Sequence, residues 1–450
     1  MQASQKVHRL GLIALLLAIG APTRSGAEDS AERTWTADID FEIKAHYRDS
    51  DENAFPVNFP FTPDQLPPGQ QAGELRTVEP GGHFEFSVIS LIADFGFGEH
   101  WSARAKVDIH DRYDRNPTSD DRDIDIDELW IQWGRDAAPA VPPATPGAFV
   151  RLGKFAKFER QDDRHLESYG LVSTAFNRFE DLGIAAGLDL GSNFYLKASV
   201  TQGNPLFFRD PNALAGDNGT DAFLLPNPTP DVNSGIPILY DAEIEDLDTG
   251  TGPEYGLAAG YRWSDETGQN AFDLMAFAYQ RELEESVTLK GTFYGADLDF
   301  LRGPANLFPY PGLRGDEKQE WGLNARGYIG NLSLFGQFVE QEVASLDRRG
   351  YELEASWRFE LPLVWAFRGR QVFSHVQPAI RYSRIDNDFA NPAITPLPSG
   401  NWDWEKWDLG IRLLILPGLD LTAEYADNEF ETAAGTGNND EWLITLRWRI

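Results

Sequence analysis

The feature that most restricts the fold is a two-residue alternation sustained over unusually long segments. Residues 349–361 read RGYELEASWRFEL, with Tyr351, Leu353, Ala355, Trp357, Phe359 and Leu361 on one parity. Glu352, Glu354, Ser356, Arg358 and Glu360 occupy the other. Side chains of a strand alternate between its faces, so such a segment has one apolar and one charged surface. The pattern recurs in TWTADIDFEIKAHYR, where Trp35, Ala37, Ile39, Phe41, Ile43, Ala45 and Tyr47 alternate with Asp38, Asp40, Glu42, Lys44 and His46. In WSARAKVDIHDRY, Trp101, Ala103, Ala105, Val107, Ile109 and Tyr113 stand against Arg104, Lys106, Asp108, His110 and Arg112. The last segment, EWLITLRWRI, sets Trp442, Ile444, Leu446, Trp448 and Ile450 against Glu441, Thr445, Arg447 and Arg449. A strand from Trp35 to Tyr47 spans about 40 Å at ~3.3 Å per residue. Tilted by about 45°, it rises roughly 28 Å, close to the apolar band of an outer-membrane barrel, with aromatic residues at both edges.

The chain opens with Lys6 and Arg9, an apolar stretch from Leu10 to Ala21, and the small residues Ser25-Gly26-Ala27. This arrangement predicts a secretory signal peptide over 1–27, with 28–450 forming the barrel. The apolar stretch is too short for a membrane anchor, and no later run is long enough for a spanning helix. The chain has no cysteine, so disulfides contribute nothing to its stability. Its formal net charge is −32, which excludes a nucleic-acid partner because phosphates require a basic footprint. It also disfavours adhesion to an anionic lipid surface. Within a bilayer every backbone N–H and C=O needs an internal partner, so without helices the strands must close on themselves.

Sixteen strands are predicted, over 34–48, 83–95, 101–113, 124–134, 148–157, 181–190, 194–202, 254–263, 271–282, 319–329, 331–342, 350–361, 373–385, 402–415, 419–429 and 440–450. A further pair within 286–300 would make eighteen. Connections alternate between longer outer loops and shorter inner turns, except that 114–123 is shorter than the Pro-rich 135–147, and several inner turns carry hairpin residues: Gly191-Ser192-Asn193, Gly330-Asn331 and Pro417-Gly418. In HFEFSVISLIADFGF the apolar phase slips from Phe84, Phe86 and Val88 to Ile89, Leu91 and Phe95, which predicts a bulge or a strand covered on its inner face. The expected fold is thus all-β: a transmembrane, antiparallel, up-and-down barrel wide enough for an aqueous lumen.

Residues 150–187, VRLGKFAKFERQDDRHLESYGLVSTAFNRFEDLGIAAG, resemble the phosphate-selective porin O/P family of Gram-negative outer membranes. The resemblance rests on Gly153-Lys154-Phe155, on Leu166-Glu167-Ser168, on Arg178-Phe179-Glu180-Asp181-Leu182-Gly183, and on FYLKASVTQGN at 194–204. It covers about a quarter of the chain. It implies a sixteen-stranded porin, usually a homotrimer, with the third outer loop (158–180) folded into the pore. It does not extend to phosphate selectivity, which needs a basic lining where this chain is mixed and acidic. ELWIQWG followed by VRLGKF is similar, more weakly, to alginate-export barrels, although an exporter of an acidic polymer would also need a basic lumen.

Candidate constriction residues are Arg160, Asp162, Asp163, Arg164, Glu167, Arg178, Glu180 and Asp181. Opposite charges on facing walls would set a transverse field across a narrow pore, whereas a salt-bridged loop would merely pack against the wall. Asp38, Asp40, Glu42, Lys44, Arg104, Lys106, Asp108, Glu352, Glu354 and Arg358 are expected to face the lumen. In DDRDIDIDELW, Asp123, Asp125 and Asp127 share a face, where Ca²⁺ is conceivable. The spacing lacks the glycine of a calcium loop, so pairing with Arg or Lys across the barrel is favoured and no cofactor or metal is assigned. An Asp–His arrangement involving His46 or His110 with Asp38, Asp40 or Asp108 is geometrically conceivable for activating water. Plain polar lining is favoured, and no enzymatic activity is expected. The long 203–253 loop could cap the pore, bind a ligand or stabilise a trimer. The expected partners are outer-membrane lipid, lipopolysaccharide and small hydrophilic solutes, and the expected role is passive diffusion through a porin. The alternative is the exit barrel of an exopolysaccharide secretion system.

Overall fold

The computed structural model describes residues 35–51, 53–57, 73–78, 81–110, 124–161, 164–176, 180–203, 223–224, 252–282, 317–343, 346–388, 403–432 and 435–450. The expected signal segment, the 286–300 segment and nearly all of 203–253 fall outside them. Sixteen antiparallel strands close a wall. They are β1 (Trp35–Ser50), β2 (Gly81–Phe97), β3 (Trp101–His110), β4 (Ile124–Gly134), β5 (Ala148–Ala156), β6 (Glu180–Leu190), β7 (Phe194–Thr201) and β8 (Glu254–Ser264). The second half is β9 (Asn270–Glu282), β10 (Glu317–Ile329), β11 (Leu332–Val343), β12 (Leu346–Trp357), β13 (His375–Asp388), β14 (Asp403–Leu416), β15 (Leu419–Thr432) and β16 (Gly435–Arg449). Each strand pairs with its sequence neighbours, and β16 returns to β1 from Glu42↔Arg449 to Ser50↔Glu441. Past Arg358, β12 resumes as Phe359–Glu360 in unbroken register with β13. Outside the wall lie a small sheet of Asn53–Val57, Gly73–Val78 and Phe223–Leu224, and a hairpin of Trp365–Phe367 with Arg370–Val372.

The wall is inverted relative to a water-soluble domain. Leu257, Leu353, Leu323, Leu274 and Ile184 are exposed on the outer parity, whereas Arg48, Arg281, Arg381, Lys318 and Lys406 are among the largest fully buried side chains. Hydrocarbon is the medium that such an outer face matches, and closure leaves no strand edge unpaired within it. Trp35, Trp101, Trp133, Trp263, Trp357 and Trp448 stand at the ends of their strands nearest the short turns, all partly or fully exposed. Toward the opposite rim Tyr351, Tyr382 and Trp407 form a ring chain with centroids 5.8 and 4.6 Å apart, and Tyr425 lies 5.0 Å from Trp442. Two aromatic girdles of this kind mark the edges of an apolar band.

The bulge expected in β2 is present. Lys44 faces Val88 while Ala45 faces Phe86, so Ser87 is the extra residue. A second bulge lies in β4, where Lys106 faces Glu128 and Val107 faces Ile126, leaving Asp127 over. The short turns fall where the hairpin residues predicted them, with positive φ at Gly191, Gly330 and Gly418.

Candidate pore constriction

After β5 the chain does not pass over the rim. The described segments 157–161 and 164–176 run inside the barrel and follow the inner faces of β8 to β16, as far as β1. Lys157 begins this path, with Nζ 3.3 Å from Glu254 on β8 and 3.7 Å from Glu320 on β10, above the Tyr279 ring of β9. The Tyr279 hydroxyl donates to Glu159 at 2.8 Å, and the amides of Asn324 and Gln337 donate to the Glu159 carbonyl at 2.7 and 3.2 Å. Farther along, the His165 backbone N–H donates to Glu354 on β12 at 3.2 Å.

The tip, Leu166-Glu167-Ser168, meets the far wall. Glu167 lies 3.1 Å from Lys44 on β1, 2.6 Å from Arg412 on β14 and 3.5 Å from Arg447 on β16. Burial pushes its carboxyl up, but Lys44, Arg412, Arg447 and Arg164 outweigh burial and hold it well below the usual carboxylate range. Glu424 of β15 accepts the backbone N–H groups of Glu167 and, at 3.0 Å, Ser168. Arg381 and Lys406 donate to the carbonyls of Ser168 and Tyr169 at 2.9 and 2.8 Å. The returning arm contains a five-residue helix α1 (Leu171–Ala175); Val172 N–H donates to Glu352 at 3.3 Å, and Arg348 donates to the Ala175 carbonyl at 3.1 Å. Leu166, Leu171, Val172, Ala175 and Phe176 of the loop are buried, with Phe176 and Leu166 against the wall. Glycines in the wall make room for them. A Cβ on Gly350 would lie 2.6 Å from Phe176, and one on Gly410 would lie 2.3 Å from Leu166.

The loop therefore lines the inner faces of β8 to β16, meets β1 at Lys44 and β6 at Glu180, and leaves the inner faces of β2 to β5 uncovered. On that side Lys106 is 2.6 Å from Asp127 and 3.1 Å from Asp108, and Arg104 is 3.4 Å from Glu128 and 3.5 Å from Asp94. Asp40 pairs with Arg449, Glu42 lies 3.7 Å from Lys44, and Asp38 is exposed. Strand parity alone would turn Glu128 outward, but the bulge at Asp127 brings both carboxylates inward. Asp127, Glu128 and Glu180 then each offer an oxygen within 4.8 Å of the others. Lys106, Arg104 and Arg160 pair with these three in turn.

Of the other sequence candidates, Arg164 lies 4.1 Å above the Tyr169 ring, and Asp181 is 3.4 Å from the Thr201 hydroxyl that donates to it. Arg358 pairs with Glu360 at 2.7 Å near the turn-side rim. Asp162, Asp163 and Arg178 lie outside the described residues, as does Asp123. His46 is buried, 2.7 Å from the Thr445 hydroxyl; the side chain of His110 is outside the described residues. Arg381, Lys406, Asp408, Arg412 and Glu424, which hold the loop, were not among the sequence candidates. The same alternation applied to 379–381, 406–412 and 420–424 would have placed them on the inner face.

Strand number, closure and the inward loop together define the class of fold. Among solved structures, the outer membrane channel DcaP of Acinetobacter baumannii matches with a TM-score of 0.50 and 9% identity, over 94% of this chain and 100% of its own. The chain shares the fold of that channel. OprB of Pseudomonas putida, in its high-pH structure, shares the channel fold with a TM-score of 0.52 and 12% identity, over 92% of this chain and 94% of its own. No protein-family model and no curated protein matches the sequence.

Proposed function

We propose that this chain is an outer-membrane porin, a water-filled channel for passive diffusion of small hydrophilic solutes or ions. The observation that carries this reading is the loop of 157–161 and 164–176, fixed along the inner faces of β8 to β16 and reaching the charged cluster of Asp127, Glu128 and Glu180 through Arg160. Arg160, Arg164 and Glu167 of the loop, with Glu180 and Asp181 at the start of β6 and with Asp162, Asp163 and Arg178, form the proposed constriction, and Glu167 also anchors the loop. Phosphate selectivity is not part of the proposal, although 150–187 resembles the phosphate-selective family. The lumen cations Lys106, Arg104 and Arg449 each lie beside a carboxylate, so the basic field that an anion requires is cancelled locally. The proposed setting is the Gram-negative outer membrane, with lipid and lipopolysaccharide around the wall and a homotrimer as the assembly. Reconstitution of the purified protein in a planar bilayer tests the function. A steady open conductance, with a reversal potential in a KCl gradient showing cation preference, is expected from an acidic chain. A barrel that conducts only after a periplasmic partner is added would overturn the porin in favour of an export barrel.

A further inference from the structure

Most short turns of this barrel close tightly, as at Gly330-Asn331, but the connection 361–374 between β12 and β13 does not. It forms a hairpin of Trp365–Phe367 with Arg370–Val372, turning at Arg368-Gly369. The hairpin is held in place from both sides. Leu361 N–H donates to the Ser374 carbonyl at 2.9 Å, and Phe373 N–H donates to the Ile415 carbonyl at the foot of β14 at 3.0 Å. The Gln371 amide donates to the Leu361 carbonyl at 2.9 Å, and the Trp365 and Phe373 rings lie 5.9 Å apart.

What this hairpin presents differs from the rest of the turn-side rim. Leu363 is 69% exposed, Val364 69%, Trp365 63% and Phe367 56%, four exposed apolar side chains within five residues, in the segment that follows the exposed Trp357 and Phe359. Apolar exposure of this kind marks a surface that meets something other than bulk water. Its charge is also opposite to that of the chain. Segment 361–374 contains Arg368 and Arg370 and no acidic residue, in a protein of net charge −32. The nearest carboxylate in sequence, Glu360, pairs with Arg358 at 2.7 Å. Arg368 is costly for the turn, because both central positions have positive φ (50° and 79°), a conformation that suits Asn-Gly far better than Arg-Gly. Its guanidinium lies over the Phe367 ring, 5.4 Å from the centroid, so cation and apolar surface are presented together.

We propose that the 361–374 hairpin anchors the barrel to the phospholipid surface of the periplasmic leaflet. Leu363, Val364, Trp365 and Phe367 enter the boundary between acyl chains and headgroups, and Arg368 and Arg370 meet anionic headgroup phosphates. The proposal rests on the outer-membrane reading above. Position in the chain selects lipid over a protein partner: the exposed apolar run follows directly on Trp357 and Phe359 of the outer face, at the end of the strand beyond the girdle, where aromatic and basic residues meet headgroups. A basic patch gives this one edge of an acidic protein affinity for an anionic surface.

The absence of cysteine makes the test direct. Trp365→Cys, labelled with an environment-sensitive fluorophore, is reconstituted in vesicles of phosphatidylcholine with or without phosphatidylglycerol. Leu353→Cys on the outer wall and Ser192→Cys in the exposed 191–193 turn calibrate lipid and water. With phosphatidylglycerol present, the label at 365 is expected to be quenched by brominated lipid and shielded from aqueous iodide. Adding Arg368→Glu and Arg370→Glu should raise iodide quenching severalfold, and omitting phosphatidylglycerol should do the same. The hairpin anchor is overturned if position 365 behaves like position 192 while position 353 reports lipid. It is also overturned if position 365 becomes shielded only on addition of periplasmic protein. Should position 353 itself report water, the membrane barrel fails and the anchor with it.

Discussion

Glu167 illustrates how a buried carboxylate is kept ionised. Lys44, Arg412 and Arg447 approach it from three strands, and Asp420 shares the two arginines at 3.6 and 2.8 Å. Removing one member of a buried charge cluster strands the others, at a cost of about 3–5 kcal/mol. Glu167→Gln is therefore expected to destabilise the protein by about 3 kcal/mol, read by urea unfolding in lipid vesicles through tryptophan emission. A change below about 0.5 kcal/mol, the size of an ordinary surface substitution, would mean that Asp420 alone satisfies the arginines. Gly153, within the Gly-Lys-Phe motif, has a different reason to be what it is. Its φ is +135°, and a Cβ there would lie 2.1 Å from the Leu129 carbonyl oxygen on the neighbouring strand, so only glycine fits.

At the scale of the element, the inward loop has a pH-sensitive root. Burial pushes the Glu159 carboxyl up to about 7; Glu320 adds to the shift, while Lys157 and the Tyr279 hydroxyl oppose it. An acid whose folded pKa is raised binds its proton more tightly when the loop is docked. Its contribution is fully present below its ordinary value of 4.5 and is lost as pH rises through about 7. Open-channel current should be quieter at pH 5 than at pH 8.5, and Glu159→Gln should remove most of that difference. Equal noise at both pH values in the unsubstituted protein would show that the docking does not depend on this proton. The strands that frame the loop were legible because the alternation is local: Tyr351 to Phe359 and Trp442 to Trp448 announce their faces within ten residues. The slip at Phe86–Val88 even disclosed a bulge. The inward course of the loop was expected from the resemblance, but its wall partners were hidden because the contacts are long-range, with Glu167 facing Arg412 across 245 positions. The bulge at Asp127 was hidden because IDIDELW keeps a plausible alternation on either side of it. The 361–374 hairpin read as a long inner turn, since its three-residue strands are too short to show a period.

For the whole molecule, the height of the wall varies around its circumference. β1 has 16 residues and β16 has 15, but β5 has nine and β7 only eight. At ~3.3 Å per residue and a tilt of about 45°, β5 and β7 rise only about 21 and 19 Å, short of the ~25 Å apolar band of such barrels. A low stretch must thin the bilayer or be covered by another subunit. A neighbouring copy in the proposed homotrimer would cover it at β5 to β7, and two equally exposed outer residues separate the alternatives. Ile184 on β6 is 51% exposed and Leu409 on β14 is 50% exposed, so in an isolated barrel an arginine at either site should cost a similar ~2–4 kcal/mol. If β6 faces a partner, Ile184→Arg should convert the trimer to monomers in native mass measurements, whereas Leu409→Arg should lower folding yield and leave the oligomer intact. Equal loss of yield without dissociation would place the low wall in thinned lipid and remove the basis for a subunit contact at β5 to β7.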